Sequence, residues 1–417
     1  MPERLNRFYS WVPPVSDLKA WIAQAVRESR AAAYWSKPTD KTAAAGVGAA
    51  FEAREGGTGR FGGAREALET FWAESRWDNP DLRALSRAFS VFAFSGTTGG
   101  RTWHGLPRNW TWVPAKLAVQ QGGSVRGLAL DTASTVPSEA GQDVLPPATS
   151  RNRWDRIVSA ALNAIASGQV EKVVLARSRH VPMEAQPDIA AILSRLEARY
   201  PDCAVFCLGR NGFYFIGASP EPLVTRRESR VSTMALAGTA ALAPDRSSGA
   251  MPAGEALLAD EKNLREHAFV ARALRRSLAP YCSKLDMDEQ PGLLKTGGLL
   301  HLKTEFEGTL AKPVHILDLA GAIHPTPAVA GAPLAESLDL IARLEDFDRG
   351  WYAGPLGWID PGGGGEFRVG LRSGLCGPGF CRLFAGCGVV EGSDAETEWW
   401  ETDMKLQALA SCLGDAP

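Results

Sequence analysis

The stretch FCRLFAGCGVVEGSDAETEWWETDMKLQALAS at 380–411 limits the fold most tightly. It reads as an apolar strand that ends in a small-residue turn, Ala385-Gly386-Cys387-Gly388, and leads on to a helix. Ser393-x-x-Glu396 has the form of a capping box and predicts a helix start near Asp394. Glu398, Glu401 and Lys405 follow at helical spacing, so they share one face. That face points to whatever backbone the glycines leave open to close approach. Two carboxylates and an ammonium in such a place suit a hard cation and an anionic ligand. The commoner reading of the same spacing is a solvated face with an ordinary Glu-to-Lys pair.

Composition narrows the class. The 417 residues are 45% apolar and 22% charged, with a net charge of −2 and no long block of one sign. This is ordinary globular composition, and bulk charge offers nothing to a nucleic acid or a membrane surface. The opening residues, MPERLNRFYSWVPP, lack a secretory signal's apolar core, and no run reaches the length of a membrane span. The seven cysteines are scattered without C-x-x-C, which fits buried free thiols in the cytoplasm. None of the six histidines has zinc spacing.

Residues 1–150 hold most of the loop-like composition: GGTGRFGG at 56–63, SGTTGG at 95–100 and a Pro/Ser/Thr stretch at 132–150. Between them the patterns predict helices at 16–29 and 64–76 and strands at 89–95 and 111–130, with Gly122-Gly123 as a hairpin turn. From 151 on the texture is regular. Helices are predicted at 151–167, 187–199, 254–279, 314–320 and 335–345. Strands are predicted at 171–179, 204–208, 213–218, 222–226, 230–237, 299–309, 352–359, 366–375 and 380–390. Asp360-Pro-Gly-Gly-Gly-Gly365 makes a loose hairpin. The class is mixed α/β (α+β) with large, mostly antiparallel sheets. No glycine run stands between a strand and a helix, so neither a P-loop nor a dinucleotide fold is indicated.

Four constellations carry chemistry. Lys172 opens the strand EKVVLAR; such a lysine is usually a solvated edge residue, whereas in a central strand desolvation would make it a usable base. In FIGASPE, Glu221 follows an apolar strand and a proline; it is either part of a surface turn or a buried acid of raised pKa. In KNLREH, Leu264, His267, Ala271, Leu274 and Leu278 form one stripe, with His267 as a core histidine. Glu266 lies off that stripe, either paired with Lys262 or reaching to the Glu398/Glu401 face. Ala322-Ile-His324-Pro-Thr-Pro-Ala-Val-Ala-Gly331 is a rigid loop that forms a pocket wall or a connector, and His301-Leu302 and Ala237-Gly238-Thr239 put polar groups at strand ends.

In this order, KVVLAR, GASPE, LAGT, KNLREH, HL-x-T, HPTPAVAG, RGWYAGPLGW, LRS, AGCGVV and E-x-x-E-T-x-x-K resemble the chorismate-utilising enzymes, a family that includes anthranilate, aminodeoxychorismate, salicylate and isochorismate synthases. The resemblance covers about 150–413, with 1–150 as a variable N-terminal part of the same fold and 151–417 as the catalytic region. It implies two large sheets packed together with helices outside. Lys172, where ammonia-using members carry glutamine, and the loop from His324 place the chain in the isochorismate synthase branch.

The resemblance also assigns roles. Lys172 is the base that activates water for C2 of chorismate, and Glu221 is the acid that assists loss of the C4 hydroxyl. Mg²⁺ falls to Glu266 and Glu401, with Glu398 direct or through water. Arg372, Tyr352 and the amide near Gly386 take the enolpyruvyl carboxylate, with Lys405 near the ring carboxylate. Gly238 and Thr239 lie by the leaving hydroxyl, and His301 orients the ring end. No glutaminase subunit is expected, and the chain is expected to be a monomer or weak homodimer. Tyr34-Trp-Ser-Lys-Pro38 resembles the menaquinone branch more than the siderophore branch. Cys387 departs from the family pattern, which has alanine between the glycines.

Overall fold

The computed structural model describes residues 6–13, 17–54, 56–57, 59–96, 102–103, 105–131, 148–241, 253–296 and 299–414. The anticipated loops therefore fall partly outside the described residues, at 97–100 and 132–147.

Alternation decides how the strands stack. In Ala204–Arg210, Phe206 and Leu208 face one core while Val205 and Cys207 face another, as a two-residue period requires. The same holds in Phe213–Ser219, where Phe215 faces away from Tyr214 and Ile216. These strands belong to a twelve-stranded sheet running Gly331–Ala332, Lys172–Pro182, Phe380–Val390, Ser373–Gly377, Phe213–Ser219, Ala204–Arg210, Ala32–Lys37, Thr42–Val47, Lys116–Gln121, Ser124–Asp131, Asn6–Trp11, Ser75–Trp77. A ten-stranded sheet runs Cys282–Met287, Leu299–Leu310, Arg230–Ala241, Pro222–Arg227, Gly365–Val369, Pro355–Ile359, Ala88–Phe92, Asn109–Val113, Phe51–Ala53, with Gly292–Thr296 also on Leu299–Leu310. Among the described pairings only Asn6–Trp11 with Ser75–Trp77 is parallel. The expected mixed fold with two large, mostly antiparallel sheets is what the chain adopts.

The core between the sheets is aromatic: Trp110 stacks on Trp112 at 3.7 Å, and Phe215 and Trp351 meet edge-on. Helices Leu18–Arg27, Ile189–Arg199 and Ala395–Ala410 cover the outer face of the larger sheet.

Several expectations are corrected. The small residues 385–388 do not turn; they lie within Phe380–Val390, which pairs residue for residue with Lys172–Pro182. An equally long partner strand keeps the ladder intact, and the reversal comes at Glu391-Gly392, where Gly392 has φ +81°. The helix after it is capped by Asp394, which accepts from the Thr397 N–H at 2.9 Å, while Ser393 accepts from the Val390 N–H. The helix foreseen at 254–279 is two, Ala253–Ala259 and Glu261–Leu278, because Asp260 caps the second by accepting from the Asn263 N–H. Part of GGTGRFGG is helical: Arg60–Ala73 starts inside it, drawn by burial of Ala64, Leu68, Phe71 and Trp72. The strand foreseen at 366–375 breaks at Gly370–Arg372, with Arg372 at φ +50°.

Candidate active site

At one end of the sheet–sheet interface a cavity opens. The larger sheet supplies Val174 and 384–388, the smaller one 236–239 and His301. Connections add Pro220-Glu221, Ala328-Val329 and Leu371-Arg372, and helices add Glu266, Glu401 and Lys405. Every residue assigned by resemblance lines it except Lys172 and Glu398, which sit just behind the wall.

Lys172 is fully buried, second from the edge of its sheet, so the solvated-edge reading is overturned. The two-residue strand Gly331–Ala332 and the loop before it cover the edge that spacing alone leaves open. Its Nζ lies 3.0 Å from a Glu266 carboxylate oxygen, an ion pair whose angle leaves the ammonium without a hydrogen bond. Glu266 thus pairs with Lys172 and not with Lys262. Gly388 makes this packing possible: a Cβ there would overlap the Glu266 carboxylate and stand 3.0 Å from Lys172 Cε. Gly386 serves the same end, since a Cβ would stand 3.1 Å from the Tyr352 hydroxyl.

Glu221 is buried, and its carboxylate makes no hydrogen bond or ion pair among the described residues. Burial raises its pKa to about 7, against the pull of Lys172, Lys405 and Arg372. The surface-turn alternative is therefore overturned. The β-bulge at Gly238, with φ +79°, brings Thr239 opposite His301. His301 Nδ1 lies 3.0 Å from the Thr239 hydroxyl, and its Nε2 accepts from Arg372 at 3.2 Å. An arginine only donates, so the proton of the ring sits on Nδ1. Burial, then Arg372 and Lys405, hold this imidazole well below its ordinary pKa, so it is neutral. His267 is a satisfied core histidine, bonded to Ala237 O and the Thr304 hydroxyl.

On helix Ala395–Ala410, Lys405 donates to Glu401 at 2.5 Å and to Gly386 O at 2.9 Å. Burial works against its charge, but Glu401 prevails and its pKa rises. Glu398, one turn earlier, accepts from Lys262 at 3.3 Å through Oε1, while its buried Oε2 has no partner. Burial first and Glu401 second raise its pKa. Cys387, also buried, lies against Glu398.

The donor set fits a hard cation. Glu266, Glu398 and Glu401 offer only carboxylate oxygen, and the bare Oε2 of Glu398 is a buried acceptor awaiting a partner. Among the described residues no three such side chains converge as a ready-made cage. Mg²⁺ needs only one or two protein carboxylates, with water and ligand oxygens completing the shell.

Sequence reasoning missed Arg349 and Glu345. Arg349 donates to Val329 O and Val174 O, each at 2.8 Å, and grips Glu345 at 2.5 and 2.8 Å. Glu345 accepts from the Ala176 N–H at 2.7 Å. The pair ties the cavity loop to the strand of Lys172. The available signal was the i,i+4 Glu-to-Arg spacing just before GWYAGP.

Residues 128–414 match the family model described as chorismate binding enzyme. The chain belongs to the chorismate-binding enzyme family. It is 41% identical over 267 residues to the salicylate biosynthesis isochorismate synthase of Pseudomonas aeruginosa and 37% identical over 268 residues to the isochorismate synthase MenF of Bacillus subtilis. These alignments take in 64% and 63% of this chain but only 56% of each relative. The solved structure of MenF, the menaquinone-specific isochorismate synthase from Escherichia coli, superposes with a TM-score of 0.79 at 27% identity, over 99% of this chain and 96% of that one. No helix among the described residues is long and apolar enough to cross a membrane.

Proposed function

We propose that this member of the family is an isochorismate synthase, interconverting chorismate and isochorismate. One observation carries the reading: a buried lysine amine, Lys172, sits just behind the wall of one cavity that a buried carboxyl with its pKa near 7, Glu221, lines together with Arg372 and Lys405. Water adds at C2 as Lys172 takes its proton. The ring double bonds shift and the C4–O bond breaks. Glu221 gives its proton to the departing hydroxyl, which leaves as water, so the step is an isomerisation. A pKa raised to about 7 lets Glu221 keep that proton near neutral pH. Two groups whose surroundings separate their tasks divide acid and base work.

Arg372, Tyr352 and Lys405 bind the carboxylates; a guanidinium suits a two-oxygen contact. Arg372 is itself steered by the neutral His301, whose Nδ1–H faces the Thr239 hydroxyl. Glu266, Glu401 and Glu398 would hold Mg²⁺, which when bound supplies charge neutralisation for the ring carboxylate. The role in menaquinone synthesis rests on the segment from Tyr34 to Pro38. There Tyr34 and Ser36 both donate to Glu197 at 2.6 Å, away from the cavity.

The test is incubation with chorismate and Mg²⁺, with and without ammonium, followed by product separation. Isochorismate alone, drifting to equilibrium with chorismate, is the expected result. Salicylate with pyruvate, or an aminated product that depends on ammonium, would overturn the assignment.

A further inference from the structure

Each of the three carboxylates assigned to the metal is engaged by one lysine: Glu266 by Lys172, Glu398 by Lys262 and Glu401 by Lys405. Lys262 differs from the other two. Its side chain is 33% exposed, against 0% for Lys172 and 17% for Lys405. It is the second residue of helix Glu261–Leu278, where the helix dipole disfavours a cation. It also lines a separate surface cavity together with Glu171 and Glu391, both exposed. The ammonium thus holds a buried carboxylate, and the surface cavity that its side chain also lines carries two solvated carboxylates, with Arg265 in the same wall.

We infer that Lys262 is the exchangeable counter-ion of Glu398: it neutralises that carboxylate when no metal is bound, and an entering divalent cation displaces it toward Glu171 and Glu391. This rests on the metal reading above. A buried carboxylate without a counter-charge is costly, so a metal-free site needs a cation of its own. Lysine suits the task because its charge is a point on a flexible stem and can leave without unpacking the core. At 3.3 Å it engages one oxygen and leaves Oε2 bare, so the site is only half satisfied until a second cation arrives. The apparent metal affinity is then set by competition with Lys262 as well as by the ligands.

The experiment is a Mn²⁺ titration of the full chain, with chorismate present, read as free Mn²⁺ by electron paramagnetic resonance. Lys262→Met is expected to bind Mn²⁺ about tenfold more tightly than the wild type, and Lys262→Arg about as tightly. Without metal, Lys262→Met should melt at a lower temperature and gain more from Mn²⁺ than the wild type does. Should Lys262→Met not fold, the double variant Glu171→Gln/Glu391→Gln is the second arm. It removes the outer carboxylates, touches no buried group and should bind Mn²⁺ about threefold more weakly. Unchanged or weaker binding in Lys262→Met, or unchanged binding in the double variant, overturns the exchange. A wild type that takes up no Mn²⁺ at all overturns the metal reading itself, and the exchange with it.

Discussion

Glu221→Gln tests whether this buried carboxyl is held protonated by its surroundings, because such a group makes stability change with pH, and the rate profile of the same variant then tests the acid role. The glutamate's pKa is raised by burial from 4.5 to about 7. At 1.36 kcal/mol per unit, that gap is worth about 3 kcal/mol. The sign follows from the direction. The folded state prefers the protonated acid, so this contribution is fully present below 4.5, falls as pH rises and is gone above about 7. Glutamine does not titrate. Any cost of burying its amide is a constant offset, so the informative quantity is how the difference between the two proteins changes with pH. In urea unfolding without metal, Glu221→Gln should gain about 3 kcal/mol on the wild type between pH 4 and pH 8.5. The wild-type rate should fall as pH rises through about 7, and the variant should lack that limb and run about 10²- to 10⁴-fold slower. A stability difference that stays constant over this range would show that Glu221 is not held protonated by its surroundings and would refute the reasoning.

Lys172→Gln should lower water addition by about 10²-fold or more while chorismate still raises the melting temperature; a variant that does not fold would make the lysine structural. Glu401→Gln should raise the Mg²⁺ concentration for half-maximal rate by about tenfold, and an unchanged metal dependence would remove it from the ligand set. Arg349→Met strands the buried Glu345 and should cost about 3–5 kcal/mol in unfolding free energy. Adding Glu345→Met should recover much of that, and a double variant no more stable than the single one would refute the pairing.

The regular elements after residue 150 were legible because their patterns are long and clean: Lys172–Pro182, Ala204–Arg210 and Phe380–Val390 all read as strands. The pair Ala32–Lys37 and Thr42–Val47 did not, since alanine is a poor strand former and only their neighbours on both sides make them strands. The proposed acid–base pair stood out only through the order of motifs. Spacing put Lys172 in solvent, because nothing local announces the short strand Gly331–Ala332 and the loop that bury it. Arg349 showed only its i,i+4 spacing from Glu345, for a related reason. Its targets are main-chain carbonyls of Val174 and Val329, which carry no side-chain signature.

The strand order has a consequence for how such a chain can diverge. Among the described residues, those before 151 furnish six strands at one end of the larger sheet and three at one end of the smaller, yet none of them lines the cavity. Cutting them away would bare Ala204–Arg210 and Pro355–Ile359 as long apolar edges, which pair readily with other chains. The N-terminal third thus acts as a buttress. Its pairing has to be inherited, while its side chains are free to drift so long as both edges stay roofed. A lineage under that rule keeps its shape from end to end while its recognisable sequence retreats toward the chemistry, which is the contrast between a family match over 128–414 and a superposition over 99% of the chain.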